Sequence, residues 1–125
     1  MQLLLDTHVV LWWLADDERL SSEAREIIAD PENAIFVSAA SAWEVVIKQS
    51  LGKLRIDGDF EAEVRGNGFA LLPISFSHAA EIGHLPPLHR DPFDRMLVAQ
   101  SRVENLSLMT ADTEILSYPT QTISI

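Results

Sequence analysis

Four acidic residues stand where the chain could do chemistry: Asp6, Glu44, Asp94 and Asp112. Asp6 ends the apolar run Leu3-Leu4-Leu5, and a helical pattern begins directly after it. Asp112 follows a second apolar run, Leu106 to Met109, by three residues. Asp94 and Glu44 sit at or near the starts of two further helical segments. If the fold gathers these groups, they repel one another. Two unit charges about 4 Å apart cost roughly 4 kcal/mol at an effective dielectric near 20. A protein holds such a set only with bound cations or with raised pKa values. An all-oxygen donor set suits Mg²⁺ or Mn²⁺, hard ions that engage phosphates. Metal-assisted hydrolysis of a phosphodiester needs this kind of arrangement.

Each acid also has an ordinary structural use. Asp6 and Asp112 can cap the helices that follow them, and Asp91 is a natural cap before Pro92. Asp94, three residues after Asp91, can complete a capping box or favour the helix dipole. Glu44 can form a capping box with Ser41, or pair with Lys48 at i+4 for about 0.3–0.5 kcal/mol.

Strands and helices alternate along the chain. Gln2–Leu5, Ile35–Val37, Ala70–Ile74 and Leu106–Met109 read as strands, and Gln121–Ser124 as a possible fifth. Pro73 places the third at an edge or a terminus. Helices are expected at Thr7–Ala15, after a Ser21 cap, at Ser38–Leu51, Asp59–Arg65, Ser77–His84, from Asp91 to about Glu104, and after Asp112. Gly52 stops the third, and Leu85 to Arg90 reads as a stiff extended connection. Ala39, Ala40, Trp43, Val46 and Ile47 fall on one side of the Ser38–Leu51 helix. Thr7–Ala15 is apolar almost all round, which fits a sandwiched helix or a contact with another chain; Trp12 and Trp13 could also stack on bases. This order predicts one α/β domain over residues 1–125, with a mostly parallel sheet of four to five strands covered on both faces. In such a sheet the strand ends before Asp6 and Asp112 share an edge, so the two acids meet if their strands are neighbours.

Composition narrows the setting. With 125 residues the chain can bury a real core. It has no cysteine, which excludes disulfides and thiolate metal sites. No leader peptide or bilayer-length apolar run is visible, so a cytoplasmic protein with no membrane partner is expected. The net charge of −10 argues against general affinity for nucleic acid, so an RNA-binding reading must supply local cations. Lys48, Lys53, Arg55, Arg90 and Arg95 lie nearest the acids in sequence, although solvated surface is the usual fate of such residues. His78, His84 and His89 match no zinc spacing, and packing or polar loop roles suit them better.

Four ordered pieces of sequence carry a resemblance: Leu4-Leu5-Asp6-Thr7-His8; Val37-Ser38 through Ser41-Ala42-Trp43-Glu44-Val45; His89-Arg90-Asp91-Pro92-Phe93-Asp94-Arg95-Met96-Leu97-Val98-Ala99-Gln100; and Leu108-Met109-Thr110-Ala111-Asp112. Together they span nearly the whole chain, and the third is the most specific. The chain resembles the PIN domain, and more closely the VapC-type ribonuclease toxins of bacterial toxin–antitoxin pairs. The resemblance implies a three-layer α/β sandwich. It also implies an acidic site of Asp6, Glu44, Asp94 and Asp112 for one or two Mg²⁺ or Mn²⁺ ions. Asp91 would be an outer companion, and Thr7 and Thr110 hydroxyls that orient the carboxylates. His8 stands where many members carry Asn, which affects substrate contacts rather than the acids. The implied reaction is RNA hydrolysis by a metal-activated water, leaving 5′-phosphate and 3′-hydroxyl ends. The implied partners are a cognate antitoxin, whose Arg or Lys competes with metal at the acids, and a second copy in a homodimer.

Two other readings compete. In one, the acids only cap helices of a non-catalytic partner-binding module. In the other, the chain is a Mg²⁺-dependent phosphoryl-handling domain of the receiver or phosphatase kind. The latter fits poorly, because no acid lies two residues after Asp6 and no Lys follows the late strand.

Overall fold

A computed structural model describes residues 1–88 and 90–125. The part of the histidine reading that concerns His89 lies outside the described residues. Five strands form one sheet: β1 (Gln2–Leu5), β2 (Ala34–Ser38), β3 (Ala70–Leu72), β4 (Ser107–Thr110) and β5 (Thr122–Ser124). Their order is β3-β2-β1-β4-β5, and every pairing is parallel. The expected fifth strand is present, and Pro73 follows β3 at the sheet's edge.

Alternation along the strands divides the core into two layers. Leu3 and Leu5 of β1, Ile35 and Val37 of β2, and Met109 of β4 face one side. There they meet Val9 and Val10 of α1 (Thr7–Leu14), Ala24 and Ile28 of α2 (Ser22–Ala29), and Val64 of α4 (Phe60–Gly66). Leu4 and Leu108 face the other side. They meet Ala40 of α3 (Ala39–Ser50), Leu97 and Val98 of α6 (Pro92–Glu104) and Ile115 of α7 (Thr113–Leu116). A short α5 (Phe76–Ile82) packs on α6. The result is the three-layer α/β arrangement expected from the order of elements. Among the described residues, no helix is long and apolar enough to cross a membrane.

Two local expectations are corrected. The buried side of α3 is Ala40, Ser41, Glu44 and Val45, whereas Trp43 and Val46 face outward. Periodicity identified a stripe, but packing chose the neighbouring face, because that face carries the small residues that let α3 approach α6 and the sheet. The connection after α5 also bends, with the Leu88 N–H donating to the Pro86 carbonyl at 2.9 Å. Gly52, at φ +71°, closes α3 in the left-handed conformation that side chains disfavour.

The topology fixes where the strand ends open. From β1 the chain steps outward to β2 and β3, then returns to β4 on the other flank of β1. The helix after β1 covers one face, and the helix after β4 covers the other. The carboxyl ends of β1 and β4 therefore border a crevice at a topological switch point. Leu4 is fully buried in the middle strand of this frame. Leu4→Ala should cost about 2–5 kcal/mol, read as a lowered urea midpoint with an unchanged m-value. A loss below about 1 kcal/mol would contradict the central place of β1.

Candidate metal centre

Asp6 is the first residue past β1, and its register neighbour on β4 is Thr110, which follows the pair Leu5 and Met109. It occupies the N-cap position of α1, yet its side chain caps nothing. Instead Oδ2 accepts a hydrogen bond from Thr110 Oγ1 at 2.7 Å. The same hydroxyl oxygen accepts from the Asp112 backbone N–H at 2.9 Å. Thr110 thus ties both strand-end acids together across the switch point. Asp112 also caps α7, accepting from the Glu114 N–H at 2.8 Å through Oδ1.

Glu44 arrives on the buried face of α3. The capping box with Ser41 does not form, because the N-cap of α3 is Ser38, whose hydroxyl accepts from the Ala40 N–H. Ser41 bonds instead to Thr7, with their hydroxyl oxygens 2.8 Å apart and fully enclosed. This bond links the residue after Asp6 to the residue one turn before Glu44. The expected i+4 pair is present: Lys48 Nζ donates to Glu44 Oε2 at 2.7 Å. Glu44 Oε1 is buried and, among the described residues, has no hydrogen-bond partner.

Asp94 is the third residue of α6, brought beside Glu44 by the packing of α3 on α6. Asp91 caps that helix, accepting from the N–H groups of Phe93 and Asp94. Burial pushes the Asp94 carboxyl up to about 8, and the negative charges of Asp6, Asp91, Asp112 and Glu44 push the same way. Burial likewise raises Asp6; the Thr110 hydroxyl and His8 oppose the rise, and Glu44 adds to it. Asp94 therefore senses the other three cluster acids, and Asp6 senses Glu44. Among the described residues, no three acid or imidazole groups are yet set to grip a single ion.

The remaining sequence-predicted residues fall into three places. Lys48, Lys53 and Arg55 line a groove of about 510 Å³ that also contains His8, Trp12 and Arg19. The Arg19 guanidinium lies 5.2 Å from the centre of the Trp12 ring. Arg90 is exposed just ahead of Asp91. Arg95 is turned inward, donating to the carbonyls of Pro86 and Ile82 and to the Tyr118 hydroxyl. It fastens the α5–α6 connection and faces no open groove. His78 is buried inside the capping box of α5 and contacts Glu104 at 2.8 Å, whereas His84 is exposed. Sequence reasoning missed the role of Ser41 and also Ser38, whose hydroxyl donates to Gln100 Oε1 at 2.5 Å. The available signal was small hydroxyl residues at a strand-to-helix junction beside an acid.

The geometry meets a family pattern: the model of the PIN domain matches residues 3–120. The chain belongs to the PIN-domain family. Over 33 residues this PIN domain is 54% identical to ribonuclease VapC16 of Mycobacterium tuberculosis, a match covering 26% of the chain and 23% of that protein's length. Its fold is similar to that of VapBC2 from Rickettsia felis bound to a promoter DNA fragment, at 16% identity and TM-score 0.71, covering 99% of this chain and 98% of that one. It is also similar to a toxin–antitoxin complex from Klebsiella pneumoniae, at 20% identity and TM-score 0.65, covering 97% and 95%.

The donor set fits a hard divalent ion. It offers carboxylate oxygens alone, one of them buried and unpartnered, around an acid that resists ionisation. A pH dependence follows for the metal-free PIN domain. Asp94 keeps its proton in the fold up to about pH 8 but loses it near 3.8 in the unfolded chain. Between those values the fold binds the extra proton, so this group's contribution to stability declines as pH rises from about 4 to 8. In chelator, Asp94→Asn should melt above wild type at pH 8, and its advantage should shrink toward pH 5. Melting curves that keep a constant offset across that range would refute the coupling.

Proposed function

We propose that this PIN domain is a metal-dependent endoribonuclease, the toxin of a VapBC-type toxin–antitoxin pair. The observation that carries the proposal is the gathering of Asp6, Glu44, Asp94 and Asp112 at the switch point, with Glu44 Oε1 buried and unpartnered. These four residues would hold Mg²⁺ or Mn²⁺, as one or two ions. A bound ion of this kind supplies charge neutralisation at a phosphodiester and acidifies water. Thr110 fixes the orientation of Asp6, the Thr7–Ser41 bond sets the distance from Asp6 to Glu44, and Asp91 holds the first turn of α6 in place. No side chain is needed as a nucleophile.

RNA is the substrate we assign. In a chain of net charge −10, Lys48, Lys53 and Arg55 offer local cations for a phosphate backbone in a groove that Asp17, Asp57 and Glu63 also line. Exposed Arg90 provides another at the start of α6. The same groove mixes these cations with Leu11, Leu14 and Ile56, and so also suits a protein segment with apolar and charged side chains. An antitoxin segment seated there would cover the approach to Glu44 through Lys48. Inhibition then needs no rearrangement of the core. The nuclease acts in the cytoplasm as a homodimer, its sites open until the antitoxin occupies that groove.

The deciding assay incubates total cellular RNA with the protein and Mn²⁺ or Mg²⁺, beside chelator and an Asp94→Asn control. Cleavage is expected with metal, and its loss in chelator and in the variant. Saturating Mn²⁺, at about 100 times its Kd, should also stabilise wild type by about 2.7 kcal/mol and the variant far less. No cleavage together with no melting shift would replace the nuclease with the partner-binding module.

A further inference from the structure

Lys48 stands where two parts of the molecule meet. Its Nζ donates to Glu44 Oε2 at 2.7 Å, while its side chain stays 37% exposed and lines the groove with Lys53 and Arg55. The chain past Gly52 turns back, with the Lys53 N–H donating to the Lys48 carbonyl at 2.9 Å, and sets both lysines along that groove. Arg19 and Arg55 are paired differently. Arg19 bonds to Asp17 and Arg55 lies 4.0 Å from Asp57, and both of those acids line the same groove. Lys48 is paired instead with a member of the acid cluster. That carboxylate is 6% exposed, and its other oxygen is buried without a hydrogen-bond partner among the described residues. A surface pair at i+4 is weak, but a buried carboxylate that depends on one ammonium holds it firmly.

We infer that the Lys48–Glu44 pair is a latch between the acid cluster and the groove: Glu44 withholds the Lys48 ammonium from RNA phosphates until a divalent ion shares the Glu44 carboxylate. The inference rests on the nuclease reading and names how that site controls its hold on RNA. A phosphate in the groove and Glu44 compete for the same ammonium. Glu44 wins in the metal-free protein, because burial leaves its charge little other compensation. A cation on Glu44 removes that advantage. The ammonium, which has donors to spare, then turns to the groove and adds one phosphate contact. By linkage, RNA in the groove tightens ion binding by the same factor. RNA is thereby gripped in full only by protein equipped to act on it. Lys48 is a positioning residue for substrate, governed by Glu44.

A double-mutant cycle in chelator tests the latch without cleavage. Binding of a short fluorescent single-stranded RNA is followed by anisotropy for wild type, Glu44→Gln, Lys48→Gln and the double variant, each checked for folding by its melting curve. At about 50 mM salt, Glu44→Gln should bind RNA roughly 3- to 10-fold tighter than wild type, and its log K should fall with log salt more steeply by about 0.7, the mark of one further phosphate contact on a single strand. In the Lys48→Gln background the same change at Glu44 should do neither. Lys53→Gln, outside the pair, should weaken wild type and Glu44→Gln by equal factors. A gain of equal size in both Lys48 backgrounds would overturn the latch, since loss of a negative charge would then act on RNA at a distance. So would RNA binding too weak to measure in all four proteins, because the groove would not be a phosphate track. Should Glu44→Gln not fold, the NMR resonance of the Lys48 ammonium in wild type serves instead. Sharp in chelator, it should be lost to solvent exchange at saturating Mg²⁺, and a resonance that stays sharp would overturn the latch. Wild type that cuts RNA with Mn²⁺ but shows no coupling in the cycle loses the latch alone. Coupling in a protein that never cuts would keep the latch and remove the nuclease.

Discussion

Negative charge held out of water at one edge of the sheet is the constraint on which the rest of this molecule depends. Asp94 is forced toward its protonated form by burial and by surrounding carboxylates. Such a cluster opposes folding unless something holds its members in place. The scaffold does so with hydroxyl groups and one helix cap. Thr110 joins Asp6 to Asp112, Thr7 joins Ser41 ahead of Glu44, and Asp91 pins the first turn of α6. Among the described residues, Lys48 is the ammonium that bonds into the cluster, and it satisfies only one oxygen of Glu44. Hydroxyl groups thus supply the geometry, while most of the charge is left unbalanced. That division distinguishes the proposed metal site from a set of helix caps.

The sheet order explains why these four acids meet. β1 is central, and β4 lies beside it because the chain reverses direction of travel after β3. Helices after β1 and β4 leave on opposite faces, so the ends of those strands are not roofed over. α3 and α6 then close in from one side, bringing Glu44 and Asp94. Fold and site share one cause. The switch in strand order that opens the crevice also makes the first and last acids neighbours.

Much of this was legible in the chain. Strand-like runs of three to five residues alternating with helical periods implied a covered parallel sheet, and all five strands overlap those runs. The Asp91-Pro92 start of α6 and the Ser21 cap of α2 were readable because capping chemistry is local. The orientation of α3 was not. Trp43 and Val46 form a convincing core stripe by hydrophobicity, but the core chose Ala40, Ser41 and Val45. A rule based on apolar periodicity reads this backwards, because close helix approach favours small residues. Arg95 was equally illegible, since its position beside Asp94 says nothing about the carbonyls of Ile82 and Pro86. Ser41 looked like half of a capping box because the true cap, Ser38, lies three residues earlier and is the same residue type. What sequence withheld was long-range pairing, which depends on sheet order.

That long-range pairing also orders events in time. The hydroxyl that fixes Asp6 belongs to a residue 104 positions further along the chain. The strand carrying it, β4, is made long after β1, with which it must pair. A ribosome-bound chain still lacking residues 107–112 holds β1, β2 and β3 but no assembled acid cluster. Pairings of such wide separation also form slowly, because loop closure must precede any gain from contact. The four acids can therefore come together only after β4 has emerged and docked on β1.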